Sequence, residues 1–322
     1  MALHGGIDLG GTKIQAAVVD DTGAVRGQSR RPTPTDSGPE GVAAEMVVAL
    51  QEAATQAGTE ATALDGAGVG SPGAVENELG TVSEVVNIPG WEGAFQLRDA
   101  LSDRLGTRVA IGNDVQVATD AEVALGAGRA FSSLLGVFWG TGVGGGVVLE
   151  RQAWLGRSSA GEVGHMVVKL GGRRCGCGRK GCMEAYAGRG SMEREARRRH
   201  EAGEHTELFK IMEKRDRERL SSGIWSRALD QGDELAESLM AEAVAALGAG
   251  VASAVNLLDI EAVVIGGGMG LRMGEPYVER IRAAMLPHLF KDSDPPAVVL
   301  AELGDLGGAI GASLLVSAPQ PA

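Results

Sequence analysis

The stretch GIDLGGTKIQAAVV, residues 6–19, predicts a β-strand, a tight turn and a second β-strand. The first strand carries Asp8 among apolar residues, and the turn is GGTK, residues 10–13. A hairpin and a third strand at residues 24–29 follow. Glycines in such a turn expose consecutive backbone N–H groups, so the turn can bind a phosphate, and the hydroxyl of Thr12 adds a donor.

The same pattern returns in the middle of the chain, at LLGVFWGTGVGGGVVLE, residues 134–150. An apolar strand is followed by a glycine turn over residues 140–146 and by a second strand. Two such copies predict a duplicated α/β fold with a cleft between its halves. The alternative is coincidence between loops in a chain with 50 glycines. A threonine beside glycine in both turns, Thr12 and Thr141, favours duplication.

Residues 140–145 also satisfy the dinucleotide pattern G-x-G-x-x-G. That fingerprint requires a helix to begin at its third glycine, whereas residues 146–149 (GVVL) are typical of a strand. The GGTK turn misses the P-loop order as well, because its lysine follows the threonine. We therefore expect both turns to bind phosphate through backbone N–H groups, outside either motif.

A cluster of potential metal ligands follows the second turn. All three cysteines of the chain lie there with one histidine upstream, giving the set His165, Cys175, Cys177 and Cys182. A Cys3His set is typical of structural zinc. An odd cysteine count in a long chain disfavours a disulfide framework. Buried or redox cysteines and a different histidine ligand are the alternatives. Glu162 and Glu184 flank the cluster, so a metal would hold two carboxylates in place.

A third polar group follows an apolar strand at residues 108–111, which ends in Gly112, Asn113 and Asp114. An aspartate at a strand end that faces a cleft can act as a general base towards a hydroxyl. The commoner role for Asn-Asp before a helix is an N-cap, here for a helix over residues 115–125. One of the two residues could cap the helix while the other acts in chemistry.

The remaining elements are predicted from apolar patterns. We expect helices at residues 41–56, 236–258, 277–286 and 307–316. We expect strands at residues 65–70 and 260–265, and the second of these leads into three glycines at 266–268. The densely charged segment at residues 193–219 carries both signs, which predicts a solvated helical face without chemistry.

Charge and composition exclude several classes of partner. The net charge of −12 disfavours nonspecific binding to nucleic acid and to anionic membranes. The N-terminus lacks a basic region followed by an apolar run, so we expect no secretory signal. Free thiolates available to a metal fit a reducing, cytoplasmic location.

Together these residues resemble the ROK family (repressors, uncharacterised frames and sugar kinases) of the actin/hexokinase, ribonuclease H-like fold. The motifs that carry the resemblance are IDLGGTK (7–13), GND (112–114), GTGVGGG (140–146), GEVGH (161–165) and CGCGRKGCME (175–184). The resemblance implies a smaller domain, residues 1–118 plus a C-terminal helix at about 306–322. A larger domain, residues 119–305, would carry the zinc site.

The resemblance further implies ATP-dependent phosphorylation of a hexose, in which Asp114 takes the proton of the 6-hydroxyl. The other sugar-binding residues would be Gly73, Asn87, Asn113, Glu162, His165 and Glu184. Asp8 would hold Mg²⁺, and the residues at the nucleotide would be Gly10, Gly11, Thr12, Lys13, Thr141, Gly142, Gly267 and Gly268. His165 would then serve both zinc and sugar.

Glucose is the substrate that the resemblance favours, and N-acetylmannosamine, N-acetylglucosamine or fructose is the alternative. A repressor would need a helix-turn-helix domain before the first turn, where only seven residues precede Asp8. A nonenzymatic sugar sensor would lack the catalytic base, whereas this sequence has Asp114 at that position. Donors such as ADP or polyphosphate remain open. We expect a homo-oligomer, a dimer or a tetramer.

Overall fold

The computed structural model describes residues 2–85 and 88–317 of the 322-residue chain. Its strands form two five-stranded sheets and one small hairpin. The strands are β1 (Leu3–Leu9), β2 (Lys13–Asp20), β3 (Val25–Pro32), β4 (Ala67–Ser71), β5 (Ala74–Glu76), β6 (Thr81–Ser83), β7 (Val109–Asn113), β8 (Leu134–Trp139), β9 (Val143–Leu149), β10 (Gln152–Ala153), β11 (Ala262–Gly266) and β12 (Ala297–Leu300).

Helices pack against both sheets. They are α1 (Gly38–Gln56), α2 (Leu97–Leu105), α3 (Asp114–Leu125), α4 (Glu184–Ala187), α5 (Arg189–Glu201), α6 (Leu208–Lys214), α7 (Ser222–Asp230), α8 (Glu234–Leu258), α9 (Gly267–Met273), α10 (Glu275–Met285) and α11 (Gly307–Ser317). Four short 3₁₀ turns complete the described elements, at Ala61–Ala63, Val163–His165, Leu286–His288 and Gly304–Leu306.

The two large sheets have the same topology. Their strand orders are β3-β2-β1-β4-β7 and β10-β9-β8-β11-β12. In each sheet the first three strands along the chain form an antiparallel meander, the fourth strand pairs in parallel with the first, and the fifth pairs in parallel with the fourth. The glycine turn of each half joins the first two of these strands. The predicted duplication is therefore confirmed.

The second glycine turn is shorter than its sequence predicts. Strand β9 begins at Val143, so only residues 140–142 form the turn and the glycines at 144–146 lie within the strand. These glycines allow close packing: a Cβ on Gly144 would lie 2.6 Å from the Val115 side chain, and one on Gly146 would lie 2.3 Å from Thr119. Small residues in β9 thus bring helix α3 close to the second sheet. The strand also confirms that no dinucleotide-binding helix starts here.

Each half has its own hydrophobic cluster. One is built on β1, β2, β4 and helices α1 and α2, and the other surrounds α8. The 25-residue helix α8 is long and apolar enough to cross a membrane, but 67% of its apolar window is buried inside the protein, as in the core helix of a globular domain. The predicted domain boundaries near residues 118 and 305 remain a prediction.

The segment at residues 193–219 is more closely packed than its charge suggests. It contributes buried Ala196, Leu208 and Ile211 to the core around α8. Glu193 is 4% exposed and accepts hydrogen bonds from Arg197, at 2.8 Å, and from the Leu220 N–H. The expectation of a merely solvated helical face is wrong for this part of the segment, because paired charges allow the helix to be buried.

The C-terminal helix α11 packs on the first sheet at backbone distance. A Cβ on Gly6 would lie 1.9 Å from the Ala309 carbonyl oxygen, and one on Gly68 would lie 1.7 Å from that of Ala312. On its other side, a Cβ on Gly311 would lie 1.9 Å from the Val117 carbonyl oxygen of α3. Only glycine fits at these contacts, so α11 fixes the distance between the first sheet and α3.

Gly68→Ala is expected to destabilise the protein by about 3 kcal/mol or more, because backbone atoms of α11 cannot move away without losing their own packing. Gly307→Ala in the same helix is the matched control. Its Cβ would meet only Leu303 at 3.5 Å, so stability should change by about 1 kcal/mol at most. Urea denaturation of the three proteins measures both effects. Equal midpoints for Gly68→Ala and wild type would contradict this packing argument.

Candidate active site

Strand register brings two aspartates to one edge of the first sheet. Asp8 near the end of β1 pairs with Gly70 of the parallel strand β4, and Ser71 of β4 pairs with Asn113 of β7. Helix α3 starts immediately after β7, with Asp114 as its first residue. Carboxyl ends of neighbouring parallel strands meet at the same edge, the usual ligand-binding edge of such sheets.

Of the two polar residues at the start of α3, Asn113 caps the helix and Asp114 does not. The Asn113 side-chain oxygen accepts hydrogen bonds from the N–H groups of Val115 and Gln116, each at 3.1 Å, so Asn113 is the N-cap. Asp114 accepts only from the adjacent Val115 N–H, at 2.9 Å, among the described residues. Its carboxylate therefore retains acceptor capacity for a ligand, and the amide group of Asn113 remains available as a donor.

The electrostatics of this edge favour protonation. Burial, together with the negative charges of Asp8 and Glu162, raises the pKa of Asp114 to about 7. Burial also raises the pKa of Asp8 to about 6, although Lys13 opposes the effect. The negative charge of Asp305 adds to the rise in the pKa of Asp8. A carboxylate with a pKa near neutrality is suited to accept a proton at physiological pH.

Glu162 and His165 face this region from the second half of the chain. Glu162 precedes the 3₁₀ turn that contains His165, and its Oε2 lies 3.9 Å from the histidine Nε2. Their side chains are 59% and 33% exposed, so both are accessible to a ligand. The other ring nitrogen, Nδ1, lies 3.8 Å from the sulfur of Cys175. The ring can thus serve a metal through one nitrogen and a substrate through the other.

The predicted metal ligands come together. One ligand atom from each of His165, Cys175, Cys177 and Cys182 lies within 4.8 Å of all the others. The sulfurs of Cys177 and Cys182 are 3.8 Å apart, close to the roughly 3.8 Å that a tetrahedron with Zn–S bonds of about 2.3 Å requires. The four side chains fit a closed tetrahedral metal site.

Glu184 connects the metal ligands to the second turn. Its Oε2 accepts a hydrogen bond from the Val143 N–H at 2.9 Å, and its Oε1 lies 3.5 Å from the sulfur of Cys175. A Cβ on Gly142 would lie 2.2 Å from the same carboxylate. The predicted sugar ligand Glu184 is therefore packed directly under the turn, where any ordering of the cysteine cluster also orders the turn.

The second turn is tight and is bordered by the late glycines. The N–H of Gly140 donates to the Gly142 carbonyl at 2.9 Å, which leaves Thr141 exposed at the tip. A Cβ on Gly140 would be 4.0 Å from the Gly268 nitrogen, and one on Gly267, where φ is +78°, would be 2.5 Å from the Trp139 carbonyl oxygen. Gly267 and Gly268 thus lie beside this turn, and their contact with a nucleotide stays a prediction.

The first turn has the same form. The N–H of Gly10 donates to the Lys13 carbonyl at 2.9 Å, and Thr12 is exposed. Lys13 forms an ion pair with Asp305, just before α11. A Cβ on Gly308 would meet the Asp8 carboxylate at 2.7 Å, so the first turn of α11 covers this aspartate. Gly11 and Gly10 remain predicted phosphate ligands, and the lysine is already paired.

The two remaining predicted sugar ligands are Gly73 and Asn87. Gly73, with φ of +90°, forms the turn between β4 and β5, where a Cβ would lie 2.4 Å from the Ser83 carbonyl oxygen. Asn87 lies outside the described residues.

Sequence reasoning missed two charged residues beside the turns, Asp305 and Arg189. Asp305 accepts from Lys13 and from the Gln15 amide at 3.3 Å. Arg189 donates to the hydroxyl of Thr141 at 2.8 Å. Neither belongs to a recognisable motif. Only the preceding Gly188, which follows CGCGRKGCMEAYA, marks Arg189 as part of a turn.

Comparisons with known proteins agree with this architecture. The model of the ROK family matches residues 4–318. The chain is 32% identical to the glucokinase of Thermotoga maritima over 319 residues, which covers 97% of this chain and 96% of that protein. It is 30% identical to an N-acetyl-D-glucosamine kinase of Escherichia coli, and the match covers 97% of this chain and 99% of that protein.

A solved structure extends the likeness to the fold. The ROK family glucokinase from Streptomyces griseus, crystallised in complex with glucose and AMPPNP, is 31% identical and has a TM-score of 0.84, covering 98% of this chain and 99% of that one. The predicted actin/hexokinase-like duplicated fold is thereby confirmed. With the family model matching nearly its whole length, the chain belongs to the ROK family.

Proposed function

We propose that this protein is a sugar kinase that transfers a phosphoryl group from ATP to the 6-hydroxyl of glucose. The observation that carries the proposal is the half-buried Asp114 carboxylate at the start of α3, with a pKa of about 7 and free acceptor capacity. The glucokinase relatives and the glucose- and AMPPNP-bound structure support the substrates.

Asp114 is proposed as the general base. It would accept the proton of the sugar 6-hydroxyl as that oxygen attacks the γ-phosphate, a transfer that depends mainly on positioning and charge neutralisation. Proton uptake also relieves the repulsion from Asp8 and Glu162 that raises its pKa.

The two turns are proposed to hold the nucleotide. Backbone N–H groups of residues 10–12 and 140–142 would bind phosphate oxygens, and Gly267 and Gly268 would adjoin the adenosine. Asp8, a carboxylate in a cluster of like charge, suits a hydrated Mg²⁺ ion, which would neutralise negative charge on the phosphates.

Side chains from both halves are proposed to bind the sugar hydroxyls. Asn113 offers its amide group, His165 would donate through the N–H at Nε2, and Glu162 and Glu184 offer acceptors. Zinc in the Cys3His site would fix the orientation and tautomer of the His165 ring. A closed site of this type is structural, so the metal itself takes no part in the transfer.

N-acetylglucosamine is the second candidate substrate, since the Escherichia coli relative acts on that sugar at nearly the same identity. No contact among the described residues discriminates between a hydroxyl and an acetamido group on the sugar.

The test is ADP release from Mg·ATP across a panel of hexoses, for wild type and for Asp114→Asn. We expect turnover with glucose, a loss of about 10²–10⁴-fold in kcat for the variant, and sugar affinity within a few-fold by calorimetry. Asp120→Asn, the same change further along α3, is the control and should keep its activity. Preference for an N-acetyl sugar would show that glucose is not the main substrate. Near-normal turnover by Asp114→Asn would show that Asp114 is not the general base.

The rate should depend on pH through the Asp114 carboxylate. Because the base acts when deprotonated and its pKa is raised, kcat/KM should fall as the pH drops through about 7, to roughly a tenth at pH 6. Glu162→Gln removes a charge that raises this pKa, so the acid limb should move to lower pH, while the exposed Glu78→Gln should leave it in place. A pH profile with no acid limb between pH 5 and 8 would contradict the assignment.

Zinc content tests the metal site. Wild type should carry one zinc per chain by elemental analysis, and Cys177→Ala should lose it with a roughly tenfold or greater loss of sugar affinity, because the His165 ring is no longer fixed. His200→Ala, which changes a histidine outside the cluster, should retain the metal. Full zinc occupancy in Cys177→Ala would disprove the ligand set.

A further inference from the structure

A cationic side chain is hydrogen-bonded to the second turn. Arg189 is the first residue of α5, and its backbone N–H donates to the Gly140 carbonyl at 3.1 Å. Its Nη2 donates to the hydroxyl of Thr141 at 2.8 Å, and the next residue, Gly190, donates its N–H to the Thr141 carbonyl at 3.0 Å. The start of α5 and the turn therefore form one unit in which the guanidinium has a fixed place.

No carboxylate lies within ion-pair distance of this guanidinium in the part of the chain that the structure describes, although the charge of Glu193 acts on it from farther away. Its Nη1 donates to the Leu220 carbonyl at 2.9 Å, so both of its side-chain hydrogen bonds go to neutral oxygens. Burial lowers the pKa of Arg189, since the charge has lost part of its hydration. Of the five N–H donors of a guanidinium, three remain for another partner, and an anion is the partner that such a cation favours.

Two further arginines, Arg194 and Arg219, lie close to Gly190, the residue that follows Arg189. A Cβ on Gly190 would lie 3.8 Å from Nη1 of Arg194 and 3.8 Å from Nη2 of Arg219. Arg219 is neutralised by Glu193 at 3.1 Å, whereas Arg194 donates to the Ser191 hydroxyl. In a chain of net charge −12, this is a local excess of positive charge beside the exposed tip of the second turn.

We propose that Arg189 binds the phosphate chain of the phosphoryl donor directly, next to Thr141. The threonine hydroxyl accepts the hydrogen bond of Arg189 and so keeps its own proton to donate to a phosphate oxygen. The planar guanidinium can contact a second oxygen of the same chain. The proposal rests on the proposed function, because it places the phosphates at the second turn. Its ligand class is a chain of anhydride-linked phosphates, from a nucleotide or from inorganic polyphosphate.

Calorimetric titration of sugar-free protein tests this contact. The probes are ADP, adenosine and inorganic tripolyphosphate, and the proteins are wild type, Arg189→Gln and Arg189→Lys. We expect Arg189→Gln to bind ADP about 10- to 100-fold more weakly, the effect of losing a charge-assisted hydrogen bond, with adenosine affinity within twofold. Arg189→Lys should lose about 3- to 10-fold, because one ammonium cannot replace the two-sided contact.

Arg151→Gln is the matched control. The Arg151 guanidinium also donates only to neutral oxygens, the carbonyls of Arg129, Phe131 and Val123, but it lies away from the turn. Its ADP affinity should equal that of wild type. Unchanged affinity for both ADP and tripolyphosphate in Arg189→Gln would overturn the proposal, and so would an equal loss for ADP and adenosine, which indicates a deformed turn. If Arg189→Gln does not fold, the same comparison in Arg189→Lys decides.

The titrations separate this inference from the proposed function. A wild type that phosphorylates glucose, with Arg189→Gln matching its affinity for both ADP and tripolyphosphate, would refute the arginine contact alone. A wild type that binds neither ADP nor tripolyphosphate would refute both. Weakened tripolyphosphate binding at unchanged ADP affinity would support the phosphate contact and assign the donor to inorganic polyphosphate.

Discussion

Close packing of helix α11 on the first sheet is the constraint on which the rest of the site depends. The helix meets Gly6 and Gly68 at backbone distance, touches α3 at Gly311, and covers Asp8 with Gly308. One helix thus fixes both the strand that carries Asp8 and the helix that begins with Asp114. Because backbone atoms in contact cannot be compressed, the separation of the two carboxylates is set by the fold rather than by flexible side chains.

The electrostatic properties of the site follow from that geometry. Two carboxylates that lose hydration near each other cannot both stay fully ionised, so Asp114 acquires a pKa near neutrality. On the other side of the site, the Cys3His cluster orders His165 directly and the second turn through Glu184. Negative charge is therefore concentrated at Asp8, Asp114 and Glu162, while Arg189 supplies positive charge at the tip of the second turn. This separation suits a reaction between a hydroxyl and a polyanion.

Much of this could be read from local patterns. The two strand–turn–strand copies predicted the duplicated sheets, and cysteine spacing predicted the ligand cluster that the fold assembles. Predictions were wrong where a residue serves a distant contact. The glycines at 144–146 read as a turn, yet they lie in β9 because α3 packs there. Charged residues at 193–219 read as solvated, yet Glu193 is buried because two arginines pair with it.

The sequence by itself determined most element types, the repetition of the strand–glycine turn–strand unit and the identity of the candidate ligands, since these depend on local spacing and residue chemistry. Only the tertiary structure decided that Asn113 caps α3 and leaves Asp114 free, that Lys13 is paired with Asp305, and that Arg189 reaches Thr141. These outcomes depend on hydrogen bonds between residues far apart in the chain, or on a choice between adjacent side chains, and such choices are fixed only when the sheets and helices are packed together.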